Sequence, residues 1–366
     1  MKLLRGVRDF FRDIVHSVKS GTVLGIDIGT TSIKVVELAA KGERFVLANY
    51  GILETKDYLR HTHLSLQTSS LQLVEDEAAR LLNVLLREMK PKTSIAFVTV
   101  PLFASFLTIL DMPVLPRHET EQAVRFQAQK YIPMPVEEVQ VDWAQVDAYT
   151  DRNGNNFQRL ALMGIPRKVI DAYRRVCKAS RLSLQTIELD VIAAARVVIA
   201  PEPTLVVDIG AESTSAMVVE GGLLKHARQT DYGGIHITRA VGKGLGLSLT
   251  RAEMLKRQRG ILGESGSLEL QNLLMPFLDV IMQEAGYARS VYEERYGKKV
   301  AQFTLLGGGA HLAGAAEHLS KEFGLPYAAA GALLDVDYPP GLVPAAERLQ
   351  KELAVAIGTA KRHFYA

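Results

Sequence analysis

Two aspartates carry the clearest chemical signal in this chain of 366 residues. Asp27 ends the apolar run LGID and opens Asp-Ile-Gly-Thr-Thr-Ser, and Asp208 ends LVVD and opens Asp-Ile-Gly-Ala-Glu-Ser. A second apolar run follows each, so both units read as strand, short polar turn, strand. Ser32 and Ser213 hold the same place after their aspartates, and the aspartates lie 208 − 27 = 181 positions apart, close to half the chain. The glycine after each aspartate's isoleucine, Gly29 or Gly210, lets backbone approach a ligand where a Cβ would block it. Successive N–H groups in such a turn form a nest for anionic oxygens, and Thr30, Thr31, Ser32, Ser213 and Thr214 add hydroxyl donors. This chemistry suits phosphate. The aspartates repel phosphate directly, but each can hold a magnesium ion through water, since that ion prefers oxygen ligands and keeps much of its hydration shell. One such turn is more often a plain hairpin; two at this separation predict paired turns that clamp a magnesium-nucleotide from both sides of one cleft.

Other groups gain meaning beside this pair. FTLLGGGAHLAGAAEHL runs from an apolar strand through Gly307, Gly308 and Gly309 into a helical stretch, where bare backbone can accept a flat ring or a phosphate. Glu253 and Lys256 stand three apart on a helix-prone segment and, on spacing alone, read as a surface ion pair. Glu188 and Asp190, in QTIELDVIAAAR, precede the second unit and either can cap the helix that follows. The chain contains neither a G-x-x-x-x-G-K-[ST] loop nor a strand followed by G-x-G-x-x-G. Its histidines are scattered without zinc-like spacing. The single cysteine, Cys177, excludes an internal disulfide and fits a reducing compartment.

Elements of two kinds must position these groups. The repeat predicts two related α/β lobes, which the chain length accommodates. A net charge of +3, from 43 basic and 40 acidic residues, is too slight for a nucleic-acid protein. Apolar runs break well before the length that spans a bilayer, and the opening residues lack a cleavage site, which points to the cytoplasm. In residues 1–20, Leu4, Val7, Phe11, Ile14 and Val18 recur at helical spacing while Lys2, Arg5, Arg8, Arg12 and Lys19 lie largely off that stripe. This is an amphipathic pattern for docking on protein or for peripheral contact with a membrane surface. The expected plan is residues 22–93 for the first part of lobe one, 94–182 for an inserted α+β subdomain, 183–203 for a return helix, and 204–366 for lobe two with a smaller subdomain at about 230–300. Within the insert, spacing predicts a helix over Glu119–Tyr131, strands near Val141–Val146 and Leu160–Ile165, and a helix from Arg167 onward.

Taken in order, DIGTTS, DIGAES, GGI followed by AE-x-x-K, the GGGA turn and the terminal ELAVAIGTAKR resemble the nucleotide motifs of the actin, chaperone ATPase and sugar kinase superfamily. The tract from DMPVLP through YIPMPVEEV is similar to that of the PilM family of type IV pilus assembly proteins, which shares its lobe plan with FtsA. The resemblance runs from Thr22 to the C-terminus. It implies an actin-like two-lobed ATPase fold with an inserted α+β subdomain, binding ATP and Mg2+. By motif it assigns phosphate and magnesium to Asp27, Gly29, Thr30, Thr31, Ser32, Lys34, Asp208, Gly210, Ser213 and Thr214. It assigns ribose and base to Glu253 and Lys256, the adenosine lining to Gly307, Gly308 and Gly309, and the catalytic, water-orienting place to Glu188, with Asp190 beside it. It further implies a cytoplasmic place at the inner-membrane pilus platform, slow ATP turnover at most, and a partner in the N-terminal tail of PilN, with a groove near Phe97, Phe126, Tyr131 and Ile132. A membrane-associated filament former like FtsA and a small-molecule kinase of the same superfamily are the alternatives.

Overall fold

The structure is a computed structural model that describes residues 21–54, 71–261 and 268–365. The amphipathic opening pattern of residues 1–20 lies outside the described residues. The first lobe begins with β1 (Thr22–Ile28), β2 (Ser32–Lys41), β3 (Arg44–Glu54) and β4 (Ile95–Val100). An inserted unit follows, with β5 (Phe106–Pro113), β6 (Val139–Thr150) and β7 (Asn156–Pro166), and the chain then returns through β8 (Ser183–Leu189). The second lobe supplies β9 (Thr204–Ile209), β10 (Thr214–Glu220), β11 (Leu223–Thr230) and β12 (Gln302–Leu306), and β13 (Val336–Asp337) rejoins the first.

Three sheets result, ordered β13-β3-β2-β1-β4-β8, β11-β10-β9-β12 and β5-β7-β6. In the two larger sheets an antiparallel hairpin, β1-β2 or β9-β10, is joined by a parallel strand, β4 or β12. The repeat is therefore structural as well as textual. Val23, Leu24 and Ile26 of β1 are fully buried because helices cover the sheet on both sides. The helix Ala354–Tyr365 lies so close that a Cβ on Gly25 would overlap the Ala356 carbonyl, and one on Gly358 would overlap the Ala193 carbonyl. That pairs the helices Ala354–Tyr365 and Asp190–Val197 at the centre of a core reaching Val206, Met217 and Val219 of the second sheet.

Sheet membership moves three of the expected boundaries. Ile95–Val100 pairs with β1, and the helix Arg167–Ala179 packs on Leu71–Met89, so both belong to lobe one and the inserted sheet covers only Phe106–Pro166. The C-terminal helix returns to lobe one and is not part of lobe two, because its apolar face fills the first core. Inside the insert, the helix Arg117–Tyr131 buries Val124 and Ala128 against Leu110, Met112, Leu160 and Leu162.

The insert also rests on lobe two. Arg159 of β7, with a side chain only 9% exposed, donates to Asp111 (3.0 Å), to Asp147 (2.6 Å) and to the carbonyl oxygen of Arg295 (2.8 Å). Its guanidinium lies between the rings of Tyr149 and Tyr296, at 4.2 and 4.3 Å, a planar ion stacked on two aromatic faces. Arg295 also pairs with Asp111, and Lys225 Nζ donates to the Val146 carbonyl at 2.5 Å. Replacing Arg159 with Ala leaves Asp111 and Asp147 without their shared cation. Those carboxylates keep some solvent, so the expected loss is about 2–3 kcal/mol. Chemical denaturation of the variant beside the parent chain measures it.

Candidate functional site

The carboxyl ends of β1 and β9 meet across a cavity of about 390 Å3. Its walls contain Asp27, Gly29, Thr30, Thr31, Ser32 and Lys34 from the first hairpin and Asp208, Gly210 and Ser213 from the second. Glu253, Lys256, Gly307, Gly308 and Gly309 complete it from lobe two. The size is that of a ligand cleft rather than a packing defect. The two turns are built alike, for the amide of Gly29 donates to the Ser32 carbonyl and the amide of Gly210 to the Ser213 carbonyl, both at 2.9 Å. Each glycine N–H thus closes its own turn and leaves anion contact to the residues that follow.

Register explains where the hairpins differ. Asp27 faces Lys34 across β1 and β2, while Asp208 faces Ser215 across β9 and β10. Lys34 Nζ lies 3.2 Å from Asp27 Oδ2. Burial opposes its charge, but Asp27 and Asp208 outweigh burial and raise its pKa. The carboxylates are less well served. Burial, reinforced by Asp27 and only partly offset by Lys34, pushes Asp208 up to about 6. Burial, with Asp208 and Asp27 adding to it, raises Asp190 well above the usual carboxylate range. Negative charge therefore exceeds what one lysine can balance.

Two of the expected residues stand elsewhere. Thr214 is buried and donates to the Tyr232 carbonyl at 2.7 Å, since strand alternation turns Ser213 and Ser215 toward the cavity and Thr214 away from it. Glu188 is not in the cavity. It is clasped by Arg196 through two bonds of 2.8 Å and by Arg362 at 3.3 Å, where it ties β8 to the two central helices. Asp190, two residues on, lines the cavity, accepts from the Val191 amide at 2.7 Å and is held by the backbone of Leu102. β8 ends at Leu189 and Asp190 opens the helix that follows, and this break in the strand separates two carboxylates that alternation would have kept on one face.

Glu253 and Lys256 form a pair in the cavity wall, 2.7 Å apart and each close to one-tenth exposed, not a surface pair. Lys256 also donates to the Gly234 carbonyl and to Thr238 Oγ1, both at 2.9 Å, and burial draws its pKa down despite Glu253. Gly307 has φ +76°, and a Cβ there would strike Asp208 Oδ1 and the Ile209 carbonyl, so only glycine lets this turn reach β9. Gly308 faces open space. Residues that spacing left unmarked are Ser215, Glu212, Glu54, Arg257, His311, Arg348 and Glu352. Ser215 was recoverable, standing seven places after Asp208 as Lys34 stands after Asp27. Glu352, which is 3.2 Å from His311 and 3.2 Å from Arg348, is the first residue of the terminal ELAVAIGTAKR tract, from which motif order draws no site residue.

Of the residues expected near a partner groove, Phe97 is buried in the lobe-one core against His363, and Ile132 is buried in the insert core. Phe126 and Tyr131 are exposed, at 61% and 53%. The four do not form one surface, because Phe97 lies on β4 and the others on the insert.

A family model described as Type IV pilus assembly protein PilM matches residues 25–364. The chain belongs to the PilM family. Among solved structures, the chain is similar to a PilM-PilN type IV pilus biogenesis complex, with a TM-score of 0.78 at 23% identity over 94% of this chain and 99% of that one. It is similar to the ethanolamine utilization protein EutJ from Carboxydothermus hydrogenoformans, with a TM-score of 0.53 at 18% identity, covering 95% and 92%. It is also similar to MreB 5 of Spiroplasma citri bound to AMPPNP, with a TM-score of 0.50 at 14% identity, covering 93% and 95%. The fold of this PilM-family chain is thus actin-like. No helix among its described residues is long and apolar enough to cross a membrane.

The charge imbalance makes a test of the site. Because the folded protein raises the Asp208 pKa to about 6 from 3.8, ligand-free stability falls as pH rises across that interval and is regained on acidification. Asp208→Asn removes the penalty. Melting without nucleotide should show the variant more stable above pH 6 by on the order of 2–3 kcal/mol, with a flatter pH dependence.

Proposed function

We propose that the cleft binds ATP as its magnesium complex and that nucleotide state sets the arrangement of the two lobes. The observation that carries this reading is the meeting of two aspartate-glycine turns and Lys34 in one cavity with too little positive charge for its carboxylates. Among the described residues, no three His, Cys, Asp or Glu side chains come close enough to enclose a metal ion by themselves. The donor set therefore fits a hydrated ion that takes its remaining ligands from phosphate, with Asp27 and Asp208 holding its waters. Thr30, Thr31, Ser32, Ser213 and Ser215 would serve the phosphates, Glu253 and Lys256 the ribose and base, and the bare backbone at Gly308 the adenosine. Bound magnesium would supply the positive charge that the phosphates and the half-buried aspartates both need. Asp190 is the carboxylate placed to orient a water beside the phosphates, and its raised pKa lets it hold a proton there. A ligand that touches both lobes favours their closed arrangement by its differential affinity, and slow turnover is compatible with that role.

Calorimetry with Mg-ATP tests the site. The parent chain should bind, and Asp27→Ala with Asp208→Ala should abolish both binding and the rise in melting temperature that Mg-ATP produces. Unchanged melting of that double variant in Mg-ATP refutes the reading.

The pilus role extends to a partner. The likeness to a PilM-PilN complex supports PilN as a partner of this chain; for its N-terminal tail as the bound segment, the place that suits an extended peptide is the groove between insert and lobe one. Gln140 forms one bank, and Ile170, Arg174, Lys178, Leu184 and Ile187 form the other. β8 is the last strand of its sheet, so its outer side offers backbone groups for an added strand. Gln185 is bulged out of the ladder with β4 and is exposed. Gln185→Pro removes an edge donor without touching that ladder, and should weaken a synthetic PilN tail about tenfold. Phe126→Ala with Tyr131→Ala should leave the affinity as it was. The reverse outcome places the tail on the helix Arg117–Tyr131.

A further inference from the structure

The positive charge of this molecule is not spread evenly. β1, β4 and β8 run parallel, so their first residues, Thr22, Ile95 and Ser183, share one end of the sheet, while Asp27 at the end of β1 lines the cleft at the other. Antiparallel pairing brings the β2-β3 turn, Lys41–Arg44, to the same far end. The helices Leu71–Met89 and Arg167–Ala179 finish there too, since each leads directly into the start of β4 or β8, and Ser183 N–H donates to the Ser94 carbonyl between them at 2.8 Å.

Lys41, Arg87, Lys90, Lys92, Lys178 and Arg181 stand on this rim, all exposed. No side chain of the six pairs with a carboxylate among the described residues, the Lys92 amide alone donating to the buried Glu37 at 2.8 Å, whereas Arg44 is paired with Asp337 at 2.7 Å. Glu43 and Glu88 are the exposed anions interleaved with them. Lysine and arginine at the last turns of two helices are ordinary, but that rule does not reach Lys41, which ends β2, or Lys90, Lys92 and Arg181, which lie on connections. Ile95 and Leu334 add exposed apolar surface at the same end, Leu334 preceding the residue whose carbonyl accepts from Phe45 at the start of β3. The described chain also starts here, at Gly21 and Thr22. The residues that precede it carry Lys2, Arg5, Arg8, Arg12 and Lys19 against Asp9 and Asp13, with Leu4, Val7, Phe11, Ile14 and Val18 at regular spacing.

We propose that this end of lobe one is a membrane-facing surface that takes the anionic headgroups of a phospholipid bilayer. A bilayer is the partner that matches a broad, unpaired basic rim: each contact is weak, and an extended anionic plane sums them. A compact phosphate ligand would need convergent, partly buried donors, and these six side chains instead point from separate turns and helix ends. Seated this way, the cleft opens away from the bilayer toward soluble nucleotide. The proposal does not depend on nucleotide or tail binding.

Vesicle flotation with the full chain tests it, using vesicles of equal parts phosphatidylcholine and phosphatidylglycerol beside vesicles of pure phosphatidylcholine. Binding is expected on the anionic vesicles alone and should weaken as salt rises. Lys41→Glu, Lys90→Glu and Lys92→Glu together should lower it about a hundredfold. These three lie outside the tail groove, so tail affinity should stay unchanged in the same variant, which separates a failure here from a failure of that reading. Lys41→Glu alone, on a hairpin turn, gives a smaller loss in the same direction should the triple variant misfold by circular dichroism. Equal flotation of parent and charge-reversed chains, or no flotation of the parent on anionic vesicles, overturns the proposal. Loss of binding only on removal of residues 1–19, with the rim substitutions silent, overturns it as well.

Discussion

The central constraint is electrostatic: three half-buried carboxylates, Asp27, Asp190 and Asp208, converge on a cleft with Lys34 as their principal counter-charge. Such an arrangement costs stability wherever the acids ionise, which the raised pKa values of Asp190 and Asp208 express. A chain folded for stability alone would place another lysine opposite Asp208, as it places Lys34 opposite Asp27. It places Ser215 there instead. A magnesium-nucleotide complex, bound as proposed, would correct that deficit.

The rest of the architecture holds those acids at the cleft. Glycine at positions 25 and 358 lets the two central helices press against β1 and against each other. Gly307 lets the second lobe's turn touch Asp208 directly. Glu188, Arg196 and Arg362 then fasten β8 to the helices, and this buried cluster fixes the position of Asp190 two residues away. A carboxylate that seemed placed for chemistry does structural service, and its neighbour takes the place in the cleft.

Much of this was legible in the residues before any coordinates. The repeat at Asp27 and Asp208 correctly implied twin hairpins, because a polar turn between two buried strands is a local pattern that tertiary context rarely overrides. The inserted sheet and its helices were likewise visible in periodicity, though the boundaries erred where pairing is non-local. Nothing local shows that Ile95–Val100 pairs with β1 or that the last helix returns to the first core. Thr214 was misplaced by a single step of strand alternation, and Glu188 because β8 gives way to a helix at Asp190, neither of which a list of motif residues weighs. Phe97 looked available only because burial of an aromatic on a central strand depends on the helix above it. Arg348 reaches the cleft from a stretch indistinguishable from any other polar surface helix, and Glu352 from the first place of the terminal ELAVAIGTAKR tract, which as a motif names no site residue.

The insert has attachments on three sides. Pro101 and Phe103 line the cleft on the way into it, the Leu102 backbone holds Asp190, the chain re-enters lobe one at Arg167, and Arg159 clamps the far side to lobe two. Mechanically this is a closed linkage with no free arm. Two bodies hinged at the central helices and bridged by a third cannot turn against each other while the bridge stands still. Any swing of lobe two would therefore have to tilt the inserted sheet or part the Arg159 clamp, so that opening of the cleft would be felt at the opposite bank of lobe one.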